Sequence, residues 1–584
     1  MYNPHHYAAR EGAKSKLLLY DLNESRPRVA LVALHAGYSH SSLALQSLAA
    51  YANAQGIEHQ MRLFETMVNI NHQVLIESLV EYEPQIIGFS TYLWNIGSSI
   101  RLTRILKQLL PDCLILFGGP EAGPRGEELL LQVAELDFII AGEGEAALTD
   151  LIRVLFLHDG KLEQVSGLFY RKHEQILRNL VKLLPIENIP AVVSQALLES
   201  RKSLVYWETS RGCPYQCTFC SSATERLRVF PMERVEADLK VLERLQNKTI
   251  KLLDRSFHLG RQRTTELLKR FAATPPGLRF HLELNPDRIS EEAMILFAQA
   301  EAGKFQFEIG LQSLDEQVLT QIERKMDISK SLDNIRQLVA MRRHPVHLDL
   351  IVGLPGESAS QCAYSLDRTF QLYPDHLQLG TLKLLPGTPL HAQAHHLGYR
   401  WNPEPPYEVL AHPLLGFTEI ARFKRYAELL ERLYNSGYLR STLAGLVDEC
   451  FNGRVSRCFD ALLAFSGRGL VQDNLQPDTL FERLSQFIQS YLDRSPILRE
   501  WLLWDYCQFG LVTSKTPSWI AEQLNQTERL VIDGSRRRLP ILTLSEEGVA
   551  MVNRQTDWNL QAGRYAVWPR QHKKGKPVEI FPLD

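Results

Sequence analysis

The sequence predicts an α/β protein in three parts: a doubly wound parallel sheet, a barrel or partial barrel of six strands, and a mostly helical carboxyl-terminal region. Two successive alternations of strand and helix carry that prediction, one from about residue 28 to 157 and one from about 204 to 387. A third observation marks the last boundary: strand patterns fade after "WNPEPPYEVL" (401–410). A chain of 584 residues is too long for one core, so about three or four domains are expected.

In the first part the strands read "RVALVAL" (28–34), "EHQMRLFE" (58–65), "QIIGFST" (85–91), "CLILFGG" (113–119) and "DFIIAGE" (137–143). Between them, 42–56, 72–84 and 100–110 carry apolar residues at helical spacing. Near-continuous apolar strands imply a sheet covered on both faces, with ligands beyond the strands' carboxyl ends. Those ends read "HAGYSHSS", "STYLW", "GGPEAG" and "GEGEA". The stretch 161–200, with a two-stranded pattern at 165–179 and "LPIENIPAVV" at 184–193, reads as a connector. The expected domains are therefore 1–160, 201–400 and 401–584, joined by that connector.

The second alternation begins at "LVYWETS" (204–210) and continues through strands at 249–257, 279–286, 305–313, 346–356 and 377–387. Barrels of this kind place their chemistry at strand carboxyl ends. The tail has strand character at 539–544 and 564–569.

Composition excludes several classes. A formal charge of −2 gives no general reason for a nucleic-acid partner. No apolar run reaches the roughly 20 residues of a membrane span, and the amino terminus lacks a signal peptide's apolar core, so a cytoplasmic location is expected. Eight cysteines, five of them scattered, make no disulfide framework. The other three stand in "RGCPYQCTFCSSA" (211–223) as Cys213, Cys217 and Cys220, just after a strand. Three thiolates can hold three corners of a 4Fe–4S cluster and leave one iron open. An open position is what a catalytic metal site needs. Zinc would want a fourth ligand nearby, and a redox pair would leave Cys213 unexplained.

The C-x3-C-x2-C spacing, with Phe219 before the last cysteine, resembles the signature of the radical S-adenosylmethionine (radical SAM) superfamily. The resemblance implies that S-adenosylmethionine chelates the open iron and is cleaved to a 5′-deoxyadenosyl radical. It assigns Glu283 in "HLELNP" and Gln312 in "FEIGLQS" to the ribose, Arg324 to the carboxylate, and Asp349 to a polar contact. The backbone of Ile351 and Val352 would flank the adenine. The usual glycine-rich second-strand segment reads "LLDRSF", leaving Asp254 and Arg255 as substitutes for the amine contact.

The sheet that precedes this core is similar to the flavodoxin-like domain of cobalamin-binding radical SAM enzymes. The resemblance places Thr91, Leu93, Gly118, Gly119, Gly142 and Glu143 at the cobalamin, the glycines letting a bulky corrinoid approach the backbone. "YSHSSLA" resembles a segment of one uncharacterised branch whose carboxyl-terminal domain has unknown function, which places Ser39 and His40 at the cobalamin as well. The base-off motif D-x-H-x-x-G is missing: Ala33 stands where the carboxylate before His35 would be, so axial ligation by His35 is not expected.

The resemblance implies methylation of an unactivated carbon, with a radical cyclisation or rearrangement, or a retired corrinoid-binding sensor, as alternatives. The substrate would be a small or lipid-like molecule, and a flavodoxin or ferredoxin would supply electrons. A methylthiotransferase needs three more cysteines in the first domain, which has only Cys113. Cys450, Cys458 and Cys507 are too widely spaced to suggest a second cluster. The helical region is expected to cover the barrel mouth; its amphipathic stretch at 419–437 and "WLLWDY" (501–506) fit a packing role better than a pocket.

Overall fold

In the computed structural model, strands β1 (Arg28–His35), β2 (Gln60–Met67), β3 (Ile86–Ser90), β4 (Leu114–Gly118) and β5 (Phe138–Ile140) form a parallel sheet in the order β2-β1-β3-β4-β5. The structure describes residues 27–193 except 58–59, and 202–508 except 224, 258–259, 468, 472–474, 492 and 494. Beyond those it describes 518, 520, 522, 527–532, 535–555, 560–568 and 579–583. Every residue from Val29 to Leu34 is buried, and successive side chains enter different cores. Ala30, Val32 and Leu34 join the core on one face, while Val29, Leu31 and Ala33 join the core on the other. That division is the period-2 geometry of a strand covered on both sides.

Helices α1 (Leu43–Ala54), α2 (Gln73–Tyr82), α3 (Ile96–Leu109), α4 (Gly126–Gln132) and α5 (Gly144–Phe156) supply the two layers. The order reverses between β1 and β3, which opens a crevice at their carboxyl ends. Strands β6 (Leu168–Lys172) and β7 (Gln175–Arg178) add antiparallel to β5, so part of the expected connector extends the first sheet. Phe169 lies against Gly126, where a Cβ would come within 2.8 Å of the ring. This tertiary contact is invisible in the local pattern.

The second alternation gives β8 (Leu204–Trp207), β9 (Lys248–Leu252), β10 (Leu278–Leu284), β11 (Phe305–Gln312), β12 (Val346–Val352) and β13 (His376–Thr381), all parallel and in chain order. Pairing stops at β8 and β13, so the barrel is open. Helices α6 (Met232–Leu242), α7 (Arg261–Ala272), α8 (Glu291–Gln299), α9 (Glu316–Gln321), α10 (Ile328–Met341) and α11 (Ala359–Phe370) alternate with the strands.

Helix α12 (Phe417–Leu429) continues as a π-helical turn over Leu430–Asn435 and packs on β13 through the face that carries Phe423, Tyr426 and Leu433. Helices α13 (Arg440–Phe451), α14 (Val455–Ser466), α15 (Pro477–Ile488) and α16 (Leu498–Gln508) follow, sharing one apolar core with the barrel. Ser456 donates to Asp367 at 2.7 and 2.9 Å, Tyr373 to Asp448 at 2.5 Å and Asn435 to the Leu377 carbonyl at 3.0 Å. These contacts lie at the end of α11 and the start of β13, which is the barrel end opposite the mouth. These contacts of the described helices thus lie away from the mouth that the carboxyl-terminal region is expected to cover. In "WLLWDY", Trp501, Trp504, Asp505 and Tyr506 are all buried, as packing requires. A four-stranded antiparallel sheet, including Ser535–Leu544 and Gly563–Trp568, accounts for the strand character of the tail.

Candidate active site

The three clustered cysteines lie on a loop tied down at its root. Gly212 has φ +80°, and a Cβ there would sit 2.4 Å from the Arg226 carbonyl. Only glycine fits so close a return of backbone. The Cys213 amide donates to the Glu225 carbonyl at 3.2 Å, and Cys220 N–H to the Cys217 carbonyl at 2.9 Å. Asp254, fully buried, accepts from the Thr209 amide at 2.9 Å, from the Thr209 hydroxyl at 2.6 Å and from Ser210. Burial raises its carboxyl to about 6 despite those donors. Asp254 is thus a brace for the end of β8 and not the amine contact expected of it; its neighbour Arg255 lines the cavity instead.

Cys213, Cys217 and Cys220 converge on one cavity of about 230 Å³ at the carboxyl ends of the barrel strands. Phe219, Glu283, Gln312, Arg324 and Asp349 line the same space, bringing together residues from three strands and two loops that the sequence separates widely. Ile351 and Val352 are not among its lining residues, and Val352 is buried in the core. Arg324 holds its guanidinium 3.8 Å from the Cys217 sulfur and donates to Asn285 Oδ1 at 3.1 Å and to the Gly310 carbonyl. A bulge in β11 between Gly310 and Gln312 leaves Gln312 at φ +69°. Its buried Oε1 has no hydrogen-bond partner among the described residues. A strained residue with an unspent acceptor points to a ligand. Three thiols with no fourth cysteine and no histidine among the lining residues fit a cluster with one open corner.

Reading by motif misses Glu308, which also lines the cavity. It stands opposite Glu283 in strand register, hydrogen-bonds His281 at 2.7 Å and accepts from Lys251 at 3.0 Å. Those partners hold Glu308 at about 2, the His281 bond contributing most. Burial first, and the facing Glu308 charge second, raise Glu283 to about 7. The environment drives two adjacent carboxyls apart. The signal was present in "FEIGLQS": Glu308 shares the parity of Gln312 on one strand.

The carboxyl ends of the first sheet face this mouth. His40 hydrogen-bonds Tyr206 OH on β8, and Lys202 donates to the His40 carbonyl and, at 3.2 Å, to Glu65. Glu65 on β2 also pairs with His35 Nε2 at 2.8 Å. A carboxylate does face His35, reached from the neighbouring strand and not from position 33, so the sequence premise against an oriented imidazole is corrected. Ser39 and Leu93 are half-buried at the ends of β1 and β3. Tyr92 and Trp94 stack with centroids 4.4 Å apart and form an aromatic ledge there.

Thr91 is fully buried; its hydroxyl donates to the Gly118 carbonyl at 2.8 Å and accepts from Ala122 at 3.2 Å. A Cβ at Gly119, φ +108°, would meet the Thr91 carbonyl at 2.5 Å, and one at Gly142, φ +82°, would meet Val181 at 2.7 Å. The protein's own packing already requires glycine at both positions. Gly118 alone has open space, its nearest atom 3.9 Å away. Glu143, expected at the cobalamin, pairs with Arg211 at 3.3 Å and with Arg228, both on the second part of the chain. Tyr407 reaches Glu121 in "GGPEAG" and accepts from Arg125 at 2.8 Å. A group bound at the carboxyl ends of the first sheet would lie against the barrel mouth.

Three family descriptions match the chain: "B12 binding domain" over residues 29–152, "Radical SAM superfamily" over 207–368, and "Protein of unknown function (DUF4080)" over 395–543. It therefore carries a B12 binding domain followed by a radical SAM domain. The cobalamin-dependent radical SAM methyltransferase TokK of Streptomyces tokunonensis is 25% identical over 340 residues, 53% of this chain and 48% of that one. The anaerobic magnesium-protoporphyrin IX monomethyl ester cyclase of Synechocystis sp. is 26% identical over 285 residues, 47% of this chain and 56% of that one. This radical SAM chain thus spans about half the length of the curated relatives it matches. Its fold is that of the cobalamin-dependent S-adenosylmethionine radical enzyme OxsB, solved with aqua-cobalamin and S-adenosylmethionine (TM-score 0.59, 18% identity, 82% of this chain and 78% of that one).

Proposed function

We propose that this protein is a cobalamin-dependent radical SAM methyltransferase acting on an unactivated carbon of a small or lipid-like molecule. One observation carries the reading: three thiols, an unspent Gln312 acceptor and two carboxyls of opposed proton affinity share a cavity facing the B12 binding domain. When bound, the 4Fe–4S cluster and S-adenosylmethionine supply a 5′-deoxyadenosyl radical, and cobalamin supplies the methyl group. Cys213, Cys217 and Cys220 hold the cluster. Arg324 would face the carboxylate of S-adenosylmethionine, Glu283 and Gln312 would take its ribose hydroxyls, and Asp349 would add a polar contact. The carboxylates offset the sulfonium charge inside a partly closed site, where electrostatic pairing is strongest. The B12 binding sheet presents its carboxyl ends to the mouth, so both cofactors would meet the substrate in one shared space.

The retained thiols and ribose-facing groups favour catalysis over a retired sensor. An acidic one-electron carrier, a flavodoxin or ferredoxin, completes the system in the reducing cytoplasm. Among the described residues no helix is long and apolar enough to cross a membrane. The cyclase relative favours a second reading, ring closure without net methyl gain. Anaerobic incubation of the reconstituted protein with cell extract and deuterium-labelled methyl S-adenosylmethionine separates the two. The methyltransferase reading expects an extract component to gain the labelled methyl; turnover with no labelled product favours the cyclase.

A further inference from the structure

The glutamates of "AGEGE" do not face the crevice. Glu145, 5% exposed at the start of α5, accepts from Arg211 at 2.7 Å and from Ser47 at 2.7 Å. Arg211 also donates to Glu208 at 2.8 Å and pairs with Glu143 at 3.3 Å. Glu143 in turn accepts from Arg228. Arg211 and Arg228 are directly paired residues of a two-stranded antiparallel ribbon, Ser210–Arg211 with Arg228–Val229. One strand of that ribbon enters the cysteine loop and the other leaves it.

Both strands are therefore pinned to the same carboxylate of the other domain, one residue before the constrained Gly212 and two before Cys213. Glu145 stays ionised although burial opposes it, because the Arg211 charge and its hydrogen bond outweigh the desolvation. A planar guanidinium can serve three carboxylates at fixed angles, which an ammonium cannot do.

We infer that Arg211 is a positioning residue, which with Glu143 and Glu145 locks the cluster-bearing loop to the B12 binding domain and so sets the separation of the two cofactor sites. The inference rests on the proposed function for what the loop carries, but the clamp is testable without cofactors. Hydrogen exchange on the full chain as purified compares wild type with Glu145→Gln. The clamp expects amides of 209–214 and 225–229, in the other domain, to exchange about tenfold faster, while α2 and α3 keep their protection. Faster exchange confined to 142–150, or spread evenly over every peptide, would overturn it. Should Glu145→Gln fail to fold, Arg228→Lys, which disturbs only the Glu143 contact in the clamp, must show the same pattern more weakly, and its absence overturns the clamp.

A second readout uses protein loaded with cluster and cobalamin: the magnetic coupling between paramagnetic cobalt and the reduced cluster. Arg211→Lys should broaden the distance distribution at unchanged iron and cobalt content, and an unchanged distribution overturns the positioning role. Wild type lacking iron or cobalt would count against the proposed function instead, leaving the exchange result to judge the clamp.

Discussion

Glu283 and Glu308 face each other across two strands, and that pairing sets a pH dependence at the scale of single residues. Glu283 is mostly protonated below about 7 in the folded protein, and a neutral carboxyl balances no sulfonium and accepts more weakly from ribose hydroxyls. Affinity for S-adenosylmethionine should strengthen as pH rises through about 7 in calorimetry on cluster-loaded protein, and Glu283→Gln should flatten the rise. Weaker binding at higher pH would contradict the assignment. Stability carries the opposite sign: the unfolded chain releases this proton near the ordinary 4.5, so the contribution of Glu283 falls between that pH and about 7.

Thiols divide as cleanly. Replacing Cys213, Cys217 or Cys220 with Ala should remove the roughly four irons expected per chain. Cys458 and Cys507 are fully buried in the helical core, where burial raises Cys507 to about 12, so their replacement should leave the iron unchanged. Iron analysis after anaerobic reconstitution decides it; a loss of half the iron from the helical-region variants would reveal a second cluster.

At the scale of elements, the strand ends are where the motifs sit, but their residues serve different purposes. Gly119 is the clearest case. Its φ of +108° and the 2.5 Å approach of a Cβ to the Thr91 carbonyl make Gly119→Ala costly by about 1–3 kcal/mol. Denaturant unfolding of the intact chain should show that loss before any cobalamin is added; unchanged stability with weakened cobalamin binding would restore the ligand-clearance role. Spacing and alternation made β1 to β5 and the six barrel strands legible, because apolar periodicity and strand-end motifs are local. Glu65 opposite His35, Phe169 over Gly126 and Glu143 on Arg211 were not legible, since each pairs residues at least 30 positions apart through tertiary packing. Asp254 illustrates the same limit: its position in the motif suggested a ligand contact, while its three hydrogen bonds make it a brace.

For the whole molecule, the B12 binding domain is held on both sides of the barrel's open seam. Arg211 and Tyr206 lie near β8, and Tyr407, beyond β13, reaches Glu121. Tyr407→Phe removes the hydroxyl that a buried carboxylate and Arg125 share, which should cost about 1–3 kcal/mol. The described helices after α12 brace the barrel at its opposite end, through Ser456 on Asp367 and Asp448 on Tyr373. Methyl transfer with both cofactors in one site leaves its signature in the products of S-adenosylmethionine. Anaerobic turnover of the loaded protein with reductant and cell extract should release S-adenosylhomocysteine and 5′-deoxyadenosine in about equal amounts, since each methylation consumes one molecule as methyl donor and one as radical source. Deoxyadenosine accumulating without S-adenosylhomocysteine would contradict it.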